Sequence, residues 1–254
     1  MGVMKMKVYL NEVTGLADAL VSMYMSKRTW TRELEDNIRR DCTIIDILKN
    51  NKYVTVESLP ESLEFQAIKE RVDKRIESFC KFSWKHITML DFITLSVTVE
   101  GLHRAGQDDW DAHAYRFNNR IIRSSTRLAD FCEDEMSDFY KDKIIPTETA
   151  LDMLGIGIPQ TIEKDGQTFV SAEGGYVRED LKNNRDAKRG LYRMCIPSNF
   201  IFKINLAQWA HVYKMRNKDG TANPEVKEVA ERIQDAVEEI LPWFDREFIK
   251  KVEI

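Results

Sequence analysis

Residues 91–102, which read DFITLSVTVEGL, decide the fold. Every second residue in the middle of this stretch is aliphatic: Ile93, Leu95, Val97 and Val99. The residues between them are Phe92, Thr94, Ser96 and Thr98. A period of two is typical of a β-strand, because successive side chains point to opposite faces of a sheet. The stretch therefore predicts a half-buried strand near the middle of the chain.

The segments on either side of this strand show helical or strand-like patterns. Strands are expected at residues 6–13 and 193–205, and helices at residues 14–28, 37–51, 62–82, 205–216 and 223–244. The last helix has Asn223 as its N-cap and Pro224 at its first position, an arrangement that favours helix initiation. Its apolar residues keep the helical period as far as Ile240. No repeat, low-complexity tract or flexible linker interrupts the sequence, so we expect a single domain over residues 1–254.

A glycine-rich region lies at about residues 155–177. It contains Asp165-Gly166, a dipeptide that favours the two-residue turn of a β-hairpin. We therefore expect a hairpin there, present as an insertion or surface flap.

Four arginines stand close together in residues 115–131, YRFNNRIIRSSTRLADF: Arg116, Arg120, Arg123 and Arg127. On a helix, spacings of three and four residues place side chains on one face. Like charges so arranged cost about 0.2–0.5 kcal/mol per pair, so an anionic partner is expected opposite them. The partner is either the flanking acidic residues, on a solvated face, or a phosphate-bearing ligand, whose oxygens match the guanidinium fork.

The composition argues against several classes of function. The 254 residues carry a net charge of −4, with a pI near 5.7, which gives no support to non-specific binding of nucleic acid or acidic membranes. No apolar run approaches the roughly 18 residues of a membrane helix. The cysteines show no C-x-x-C spacing, so we expect reduced thiols of a cytoplasmic protein and no metal site. These cysteines are Cys42, Cys80, Cys132 and Cys195.

Several polar residues at the edges of apolar segments are candidates for a binding site. Asn205 and Arg216 are eleven residues apart, which is about three helical turns, so they share a helix face. Each also has a structural interpretation, Asn205 as a helix cap and Arg216 as a cation near a helix C-terminus. Arg193, before a strand, is also consistent with a surface arginine. The same choice between a site and a structural role applies to His86, Thr88, Asp91 and His211.

The order of these segments resembles that of the flavin-dependent thymidylate synthases over nearly the whole chain. HITMLDFITLSVTVEGL resembles that family's His-x-[Ser/Thr]-x-x-Glu-His motif, with His86, Thr88 and Asp91 in register and Asp in place of Glu. RMCIP, which begins at Arg193, resembles Arg-x-x-Leu-Pro. NLAQWAHVYKMR resembles Asn-Ala-Arg-x-Leu-x-x-Phe-x-x-Leu-Arg, and TANPEVKEVAERI resembles Ala-Gln-x-Glu-Ile-x-x-x-Ala. The final EEILPWF resembles the family's closing Pro-Trp.

The family signature Arg-His-Arg-x-x-Ser-x-Asn-Glu-x-Ser-x-Arg is largely missing from this chain. Without gaps the signature falls on DAHAYRFNNRIIR. In that register His113 replaces the second Arg, Asn119 replaces Glu and Ile121 replaces the second Ser. Asn118 matches the Asn of the signature, and Arg123 matches its last Arg.

A second register is possible for the end of the signature. An insertion of about one helical turn would match STR to the terminal Ser-x-Arg, so that Ser125 and Arg127 become the counterparts. On a helix Arg123 and Arg127 share a face, so either register would aim an arginine at the same place.

The resemblance implies an α/β (α+β) fold in which helices flank a mainly antiparallel sheet. It also implies a homotetramer whose active sites lie between subunits. The implied reaction transfers a one-carbon unit from methylenetetrahydrofolate to C5 of deoxyuridine monophosphate (dUMP), with FAD carrying the reducing hydride from NADPH.

The resemblance assigns roles to individual residues. Arg216 would stabilise the pyrimidine as its N3 proton is lost, which makes it the candidate catalytic residue. The candidate nucleotide-binding residues are Asn119, Arg123, Ser125, Arg127, Arg193 and Arg216. The candidate cofactor-binding residues are His86, Thr88, Asp91, His113, Asn118, Asn205 and His211.

Loss of the Arg-His-Arg triplet leaves two alternatives open. Asp111-Ala112-His113 offers much less positive charge than the triplet to a flavin, folate or nicotinamide. The first alternative is an enzyme of the same scaffold with altered pyrimidine one-carbon chemistry. The second is a nucleotide-binding protein without catalytic activity.

Overall fold

The three-dimensional structure is a computed structural model that describes residues 6–50, 63–111, 120–123, 145, 147–172, 174–183, 197–217 and 223–252. Its strands are β1 (Lys7–Thr14), β2 (Thr94–His103), β3 (Arg120–Arg123), β4 (Thr161–Lys164), β5 (Gln167–Ala172), β6 (Gly175–Arg178) and β7 (Pro197–Asn205). Its helices are α1 (Leu16–Ser26), α2 (Arg32–Asn50), α3 (Leu63–Ser83), α4 (Arg104–Asp111), α5 (Thr147–Met153), α6 (Leu206–Arg216), α7 (Pro224–Ile240) and α8 (Arg246–Lys251). Short 3-10 helices span Ile87–Phe92 and Glu179–Leu181.

The strands form two sheets, and the expected mixed class with antiparallel sheets is confirmed. One sheet has the strand order β1-β2-β7-β3. The other has the order β4-β5-β6, and both of its pairings are antiparallel. In the described ranges, no helix combines the length and apolarity needed to cross a bilayer.

The chain separates into two compact units, each assembled from distant parts of the sequence. Unit 1 comprises Met1–Tyr9, Thr98–Phe202 and Asn223–Val229, and unit 2 comprises Leu10–Val97, Lys203–Ala222 and Ala230–Ile254. The division falls inside β1, β2, β7 and α7, so these elements contribute residues to both units. The single domain expected from the sequence stays a prediction.

Strand β2 is more deeply buried than its alternating sequence predicts. Leu95, Val97 and Val99 are fully buried, as expected, but the intervening Ser96 is buried too. Near the end of the strand, Gly101 has a φ of 79°, a left-handed conformation that glycine adopts without strain. Its N–H donates to Oδ1 of Asn199 in β7 at 3.0 Å. In unit 1 the two strands are therefore joined by a side-chain hydrogen bond as well as by sheet pairing.

Unit 2 has a helical core in which α1, α2 and α3 contact one another. Gly15, the N-cap of α1, has a φ of 90°. A Cβ atom there would collide with the carbonyl oxygen of Phe92, so the close approach of α1 to the 3-10 helix requires glycine.

A buried carboxylate joins α2 to α3. Asp41 is fully buried, and both its oxygens accept hydrogen bonds from Arg71, each at 3.1 Å. Arg75 donates a further hydrogen bond at 2.7 Å. Burial alone would raise the pKa of Asp41, but the bonds from Arg71 and Arg75 prevail and hold it below its usual value. The carboxylate is thus charged and compensated.

The C-terminal aromatic residues pack against α3. The rings of Phe79 and Trp243 meet edge to face with centroids 5.6 Å apart, and Trp243 makes a similar contact with Phe248. Oδ1 of Asp245 caps α8 by accepting from the N–H of Phe248 at 2.7 Å. The helical period of α7 is confirmed from Val226 to Val237, whereas Ile240, expected to be on the same apolar face, is 37% exposed.

The helix expected for the arginine-rich segment is wrong where the structure describes it. Residues Arg120–Arg123 form strand β3, at the edge of the four-stranded sheet. Residues three and four apart lie on one face of a helix but not of a strand. The helical argument for a shared face of Arg123 and Arg127 therefore has no support at Arg123, and Arg116 and Arg127 lie outside the described residues.

The expected hairpin is confirmed in β4 and β5. Asp165 and Gly166 form the two-residue turn with φ values of 52° and 72°, both positive as a type I′ turn requires. The third strand, β6, pairs with β5, and the hydroxyl of Tyr176 donates to the carbonyl oxygen of Pro159 at 2.7 Å. The flap is thus a three-stranded sheet.

Candidate functional site in unit 2

Helix α6 places the two best candidates at its two ends. Asn205 is the N-cap, and its Oδ1 accepts from the N–H of Gln208 at 2.8 Å. Arg216 is the last residue of the helix. The predicted helix is confirmed with these bounds, and so is the structural role of Asn205 as a cap.

Two buried hydrogen bonds fix the position of α6. The N–H of Leu206 donates to the carbonyl oxygen of Ile93 at 2.9 Å, which ties the start of α6 to the residue after the 3-10 helix. The indole N–H of Trp209 donates to Oε1 of Gln234 in α7 at 2.8 Å, and both residues are buried. These bonds leave α6 little freedom to rotate, so the faces on which its polar residues lie are well defined.

The helical period separates the candidates on α6. At about 100° per residue, Asn205 and Arg216 lie within about 20° of each other around the axis. His211, six residues after Asn205, lies about 120° away from it and is half-buried. Asn205 and Arg216 can therefore face one ligand, while His211 faces elsewhere.

The 3-10 helix carries the other candidates of unit 2, and it packs against α6. His86 precedes it and is exposed, with its ring 4.3 Å from the ring of Phe82 at an interplanar angle of 30°. Thr88 is exposed within it. His86 therefore presents a planar surface, already supported from behind by an aromatic ring.

Asp91 is a carboxyl whose environment changes its acidity. Desolvation by the surrounding protein raises its pKa above the ordinary value, although part of the residue is exposed. Asp91 therefore holds a proton at a higher pH than an ordinary aspartate. In that state it can donate a hydrogen bond as well as accept one.

Of the remaining predicted residues, the structure describes Arg123 alone. Arg123 is the last residue of β3 and belongs to unit 1. Outside the described residues lie His113, Asn118, Asn119, Ser125, Arg127 and Arg193.

One charged network beside α6 was missed from the sequence. The hydroxyl of Tyr213 lies 3.1 Å from both carboxylate oxygens of Glu231, and Nε of Arg246 donates to that hydroxyl at 3.1 Å. Arg246 also pairs with Asp235 at 2.6 Å and with Glu238 at 2.8 Å. Burial, and then the charge of Glu231, raise the pKa of Tyr213 to about 12, so the phenol stays protonated at neutral pH.

A sequence signal for this network did exist. Glu231, Asp235 and Glu238 are spaced by four and three residues, which puts three carboxylates on one side of α7. Such a stripe requires a cation, and Arg246 supplies it from α8. Through Tyr213, the network connects the last turns of α6 to α7 and α8.

The donor set of unit 2 suits a planar, polar, anionic ligand. Asn205 and Arg216 supply an amide and a guanidinium from one helix face, and His86 supplies a ring surface. Among the residues that the structure describes, no group of three or more His, Cys, Asp or Glu residues is placed to hold a metal ion. The chemistry open to these residues is hydrogen bonding, stacking and charge stabilisation.

Comparison with known proteins gives a match to a family model and to solved structures. A family model described as "Thymidylate synthase complementing protein" matches residues 46–243. A structure of flavin-dependent thymidylate synthase ThyX from Helicobacter pylori, complexed with FAD and dUMP, is similar with a TM-score of 0.50 and 11% identity, covering 95% of this chain and 98% of that one. A second ThyX structure from Helicobacter pylori with FAD and dUMP has a TM-score of 0.49 and 12% identity, covering 96% and 99%. No curated protein matches the chain in sequence.

Proposed function

Because the chain belongs to the thymidylate synthase complementing protein family, the family of flavin-dependent thymidylate synthases, we propose that it methylates dUMP with the help of FAD. The proposed donor of the one-carbon unit is methylenetetrahydrofolate, and the proposed reductant is NADPH. The observation that carries the proposal is the packing of the 3-10 helix against α6, which joins the two colinear motifs of unit 2 in space.

The residues of unit 2 fit a flavin. A flavin has a planar ring system with a polar edge, and the exposed His86 ring, supported by Phe82, offers a matching surface. Asn205 has its amide oxygen engaged by the helix N-terminus, so its amide N–H groups are the ones that point away from the cap. When bound, FAD supplies the transfer of hydride from NADPH.

We assign the binding of the nucleotide to arginine side chains. Arg216 stabilises the negative charge that develops on the pyrimidine as its N3 proton is lost, which is a charge-assisted interaction in the proposed site. Asp91, with its raised pKa, donates a hydrogen bond to a ligand acceptor while it is protonated. Other nucleotide contacts are proposed for Arg193 and for Arg123 or Arg127, together with Asn119 and Ser125. His113, Asn118, Thr88 and His211 are proposed cofactor contacts.

Flavin binding can be tested with two substitutions at one position. Asn205→Ala removes both the cap and the amide donor, whereas Asn205→Ser keeps a cap oxygen and removes the donor. We expect both variants to bind added FAD about tenfold more weakly, the scale of one hydrogen bond. The Ala variant alone should also lose about 1 kcal/mol in its free energy of unfolding. A colourless parent protein that takes up no FAD would contradict the proposal.

Nucleotide binding can be tested at the other end of α6. Arg216→Ala should weaken dUMP binding by about 1.5–3 kcal/mol in calorimetry, the usual scale for hydrogen bonds to a charged group. Lys203→Ala is the control for a general loss of positive charge, because Lys203 is 58% exposed and lies 3.8 Å from Glu12. A structural arginine would show the opposite pattern, with lost stability and retained affinity.

The two signature registers can be separated by dUMP titration. If the ungapped register is right, Arg123→Ala abolishes binding and Arg127→Ala is mild, while the inserted register reverses that order. If both variants bound dUMP as tightly as the parent protein, the arginine-rich segment would not be part of the nucleotide site.

The remaining parts of the proposal concern assembly and location. We propose a homotetramer in the cytoplasm, since the active sites of the family lie between subunits. Light scattering that showed a concentration-independent monomer with full dUMP affinity would contradict the assembly.

Altered chemistry is the second candidate, and Asp111-Ala112-His113 in place of the signature triplet is the observation that favours it. Analysis of the product after incubation with dUMP, methylenetetrahydrofolate, FAD and NADPH distinguishes thymidylate synthesis from altered chemistry. Thymidylate supports the first proposal, and a different C5 adduct supports the second.

A further inference from the structure

A lysine lies beside the aromatic pair that the flavin is proposed to use. Nζ of Lys27, the C-cap residue of α1, lies 5.0 Å from the centre of the Phe82 ring and donates to Oγ of Ser78 at 3.0 Å. The Phe82 ring is the one that supports His86 from behind. One aromatic ring therefore contacts both a cation and the planar surface of His86.

A second lysine follows from the end of α3. The N–H of Lys85 donates to the carbonyl oxygen of Phe82 at 3.3 Å, and the N–H of His86 donates to the carbonyl oxygen of Ser83 at 3.1 Å. The chain thus makes a tight turn of the 3-10 type, in which Lys85 follows Phe82 by one turn. Nζ of Lys85 lies 4.8 Å from the centre of the Trp84 ring, so an aromatic face holds this cation too.

Arg28 adds a third charge next to Lys27. Its φ is 56°, in the left-handed region that glycine and asparagine adopt more readily than arginine. The turn is fixed by two backbone hydrogen bonds of 3.0 Å, from Arg28 to the carbonyl oxygen of Met25 and from Thr29 to that of Tyr24. The turn itself would favour a different residue, so it does not explain the arginine side chain.

The three cations are exposed and are not neutralised by acidic side chains. No carboxylate in the described part of the chain forms an ion pair with Lys27, Arg28 or Lys85. Lys81, four residues before Lys85, differs because its Nζ lies 2.6 Å from Oε1 of Glu77. The nearby C-termini of α1 and α3 supply only partial negative charge. The surface therefore keeps a positive charge that suits an anion.

The anion that fits this surface is a phosphate group joined to a planar ring. Phosphate oxygens accept charge-assisted hydrogen bonds from ammonium and guanidinium groups. His86 offers the ring surface, and the cations lie in the same unit as His86. The sequence Asp111-Ala112-His113 lacks the charge that Arg-His-Arg would bring to a cofactor, so another part of the chain must supply it.

We propose that Lys27, Arg28 and Lys85 bind the diphosphate of FAD and supply the positive charge that the missing triplet does not. In this arrangement His86 faces the flavin ring, and the three cations face the phosphate groups. The proposal rests on the function proposed above and deepens it, because it assigns the recognition of the ring and of the diphosphate to different residues.

Flavins with different phosphate groups test this assignment. Fluorescence titration of the parent protein should show affinity that rises from riboflavin through FMN to FAD. Lys27→Gln and Lys85→Gln should each weaken FAD binding about tenfold, the scale of one charge-assisted hydrogen bond, and leave riboflavin binding unchanged. If both variants kept the parent's ratio of FAD affinity to riboflavin affinity, the proposal would be wrong.

Lys81→Gln is the matched control for a general loss of charge. It removes a lysine from the same helix, but this lysine is paired with Glu77. We expect FAD affinity to change by less than about twofold, since an exposed ion pair contributes little. A loss equal to that of Lys85→Gln would mean that overall charge, and not a defined site, attracts FAD, and would overturn the proposal.

Arg28→Asn separates binding from folding. Asparagine tolerates the left-handed conformation, so the variant keeps the turn and loses the guanidinium. It should bind FAD more weakly than the parent and unfold at the same urea concentration. If variants of all three cations lost stability and bound FAD as the parent does, the cations would only compensate the helix ends, and the proposal would fail.

Thymidylate formation distinguishes this proposal from the proposed function. A parent protein that forms thymidylate, with variants that keep the parent's flavin ratio, would leave the function in place and overturn the diphosphate site. FAD binding that depends on the cations, without thymidylate formation, would support the site and remove the function. An unchanged flavin ratio with a raised KM for NADPH would assign the cations to the reductant and so overturn the proposal.

Discussion

Two buried acidic residues, one in each unit, have different kinds of partner. In unit 2, Asp41 is bound by two arginines, whose charge does not change with pH. In unit 1, Glu225 meets a histidine that burial keeps neutral. A carboxylate compensated by permanent cations keeps its partners at any pH where it is ionised. A histidine whose pKa is lowered by burial makes the stability of the protein sensitive to acid.

The largest expected effect is on the permanently compensated carboxylate. Arg75→Leu should lower the free energy of unfolding by about 3–5 kcal/mol, because it leaves Asp41 buried and undercompensated. The side chain of Arg75 is only 13% exposed, whereas that of Arg71 is 46% exposed, so Arg71→Leu should cost less. Urea denaturation of both variants measures the difference. Equal losses would mean that burial of the cation does not matter here.

The second effect concerns the acid sensitivity of His103. Its pKa is lower in the folded state, so the unfolded chain takes up a proton first as pH falls. The stability that neutral His103 contributes is fully present above about pH 6.5 and is lost by about pH 4. The loss is at most about 3 kcal/mol, since one pKa unit corresponds to about 1.36 kcal/mol.

Urea denaturation between pH 7 and pH 4 separates this loss from that of Asp41. The pKa of Asp41 is lowered on folding, so its contribution is present above its ordinary value of 3.8 and is lost only at lower pH. A stability that stays constant from pH 6.5 to pH 4.5 would contradict the role of His103.

An intermediate effect is expected in the half-exposed network of Tyr213 and Arg246. Tyr213→Phe should lower the free energy of unfolding by about 1.5 kcal/mol, because it removes hydrogen bonds to charged groups. Tyr9→Phe is the control, since its hydroxyl lies 3.4 Å from Glu100 and the residue is 43% exposed. Thermal denaturation that ranks the two substitutions equally would show that the network adds nothing beyond a surface contact.

The smallest effect is expected where no buried charge is involved. Gly166→Ala should cost about 1 kcal/mol, because Gly166 has a φ of 72° in the hairpin turn. Gly157→Ala is the control, since no atom of the described residues lies within 4 Å of a Cβ there and its φ is outside the left-handed region. The effect of each substitution is measured by the rate of limited proteolysis in the flap. Similar cleavage rates would contradict the turn assignment.

Local patterns were enough to predict α6, one of the two elements that carry unit 2's candidate site, but not the 3-10 helix over Ile87–Phe92, where a strand had been expected from Asp91 onward. Helix α6 lies between Asn205 and Arg216, and α7 starts after Asn223, as the caps and the helical period indicated. The Asp165-Gly166 turn was also predicted correctly, because its conformation depends on two adjacent residues. The roles of these residues toward a ligand stay a prediction.

The arginine-rich segment shows where local patterns mislead. Spacings of three and four residues predicted a helix, yet residues 120–123 are a strand at the edge of a sheet. Ile and Arg in this segment are compatible with either conformation, so the decision rests on pairing with a strand distant in sequence. No pattern within the segment contains that information.

By itself, the sequence determined the class of the fold, the caps and periods of α6 and α7, the hairpin turn and, through the order of its motifs, the family. These features depend on residues within a few positions of one another or on their order along the chain. The tertiary structure alone decided that residues 120–123 extend a sheet, that Asp41 meets arginines 30 and 34 residues away, and that His103 is buried against Glu225. Burial and charge compensation arise only when distant segments pack together, because only then is water removed from the groups concerned.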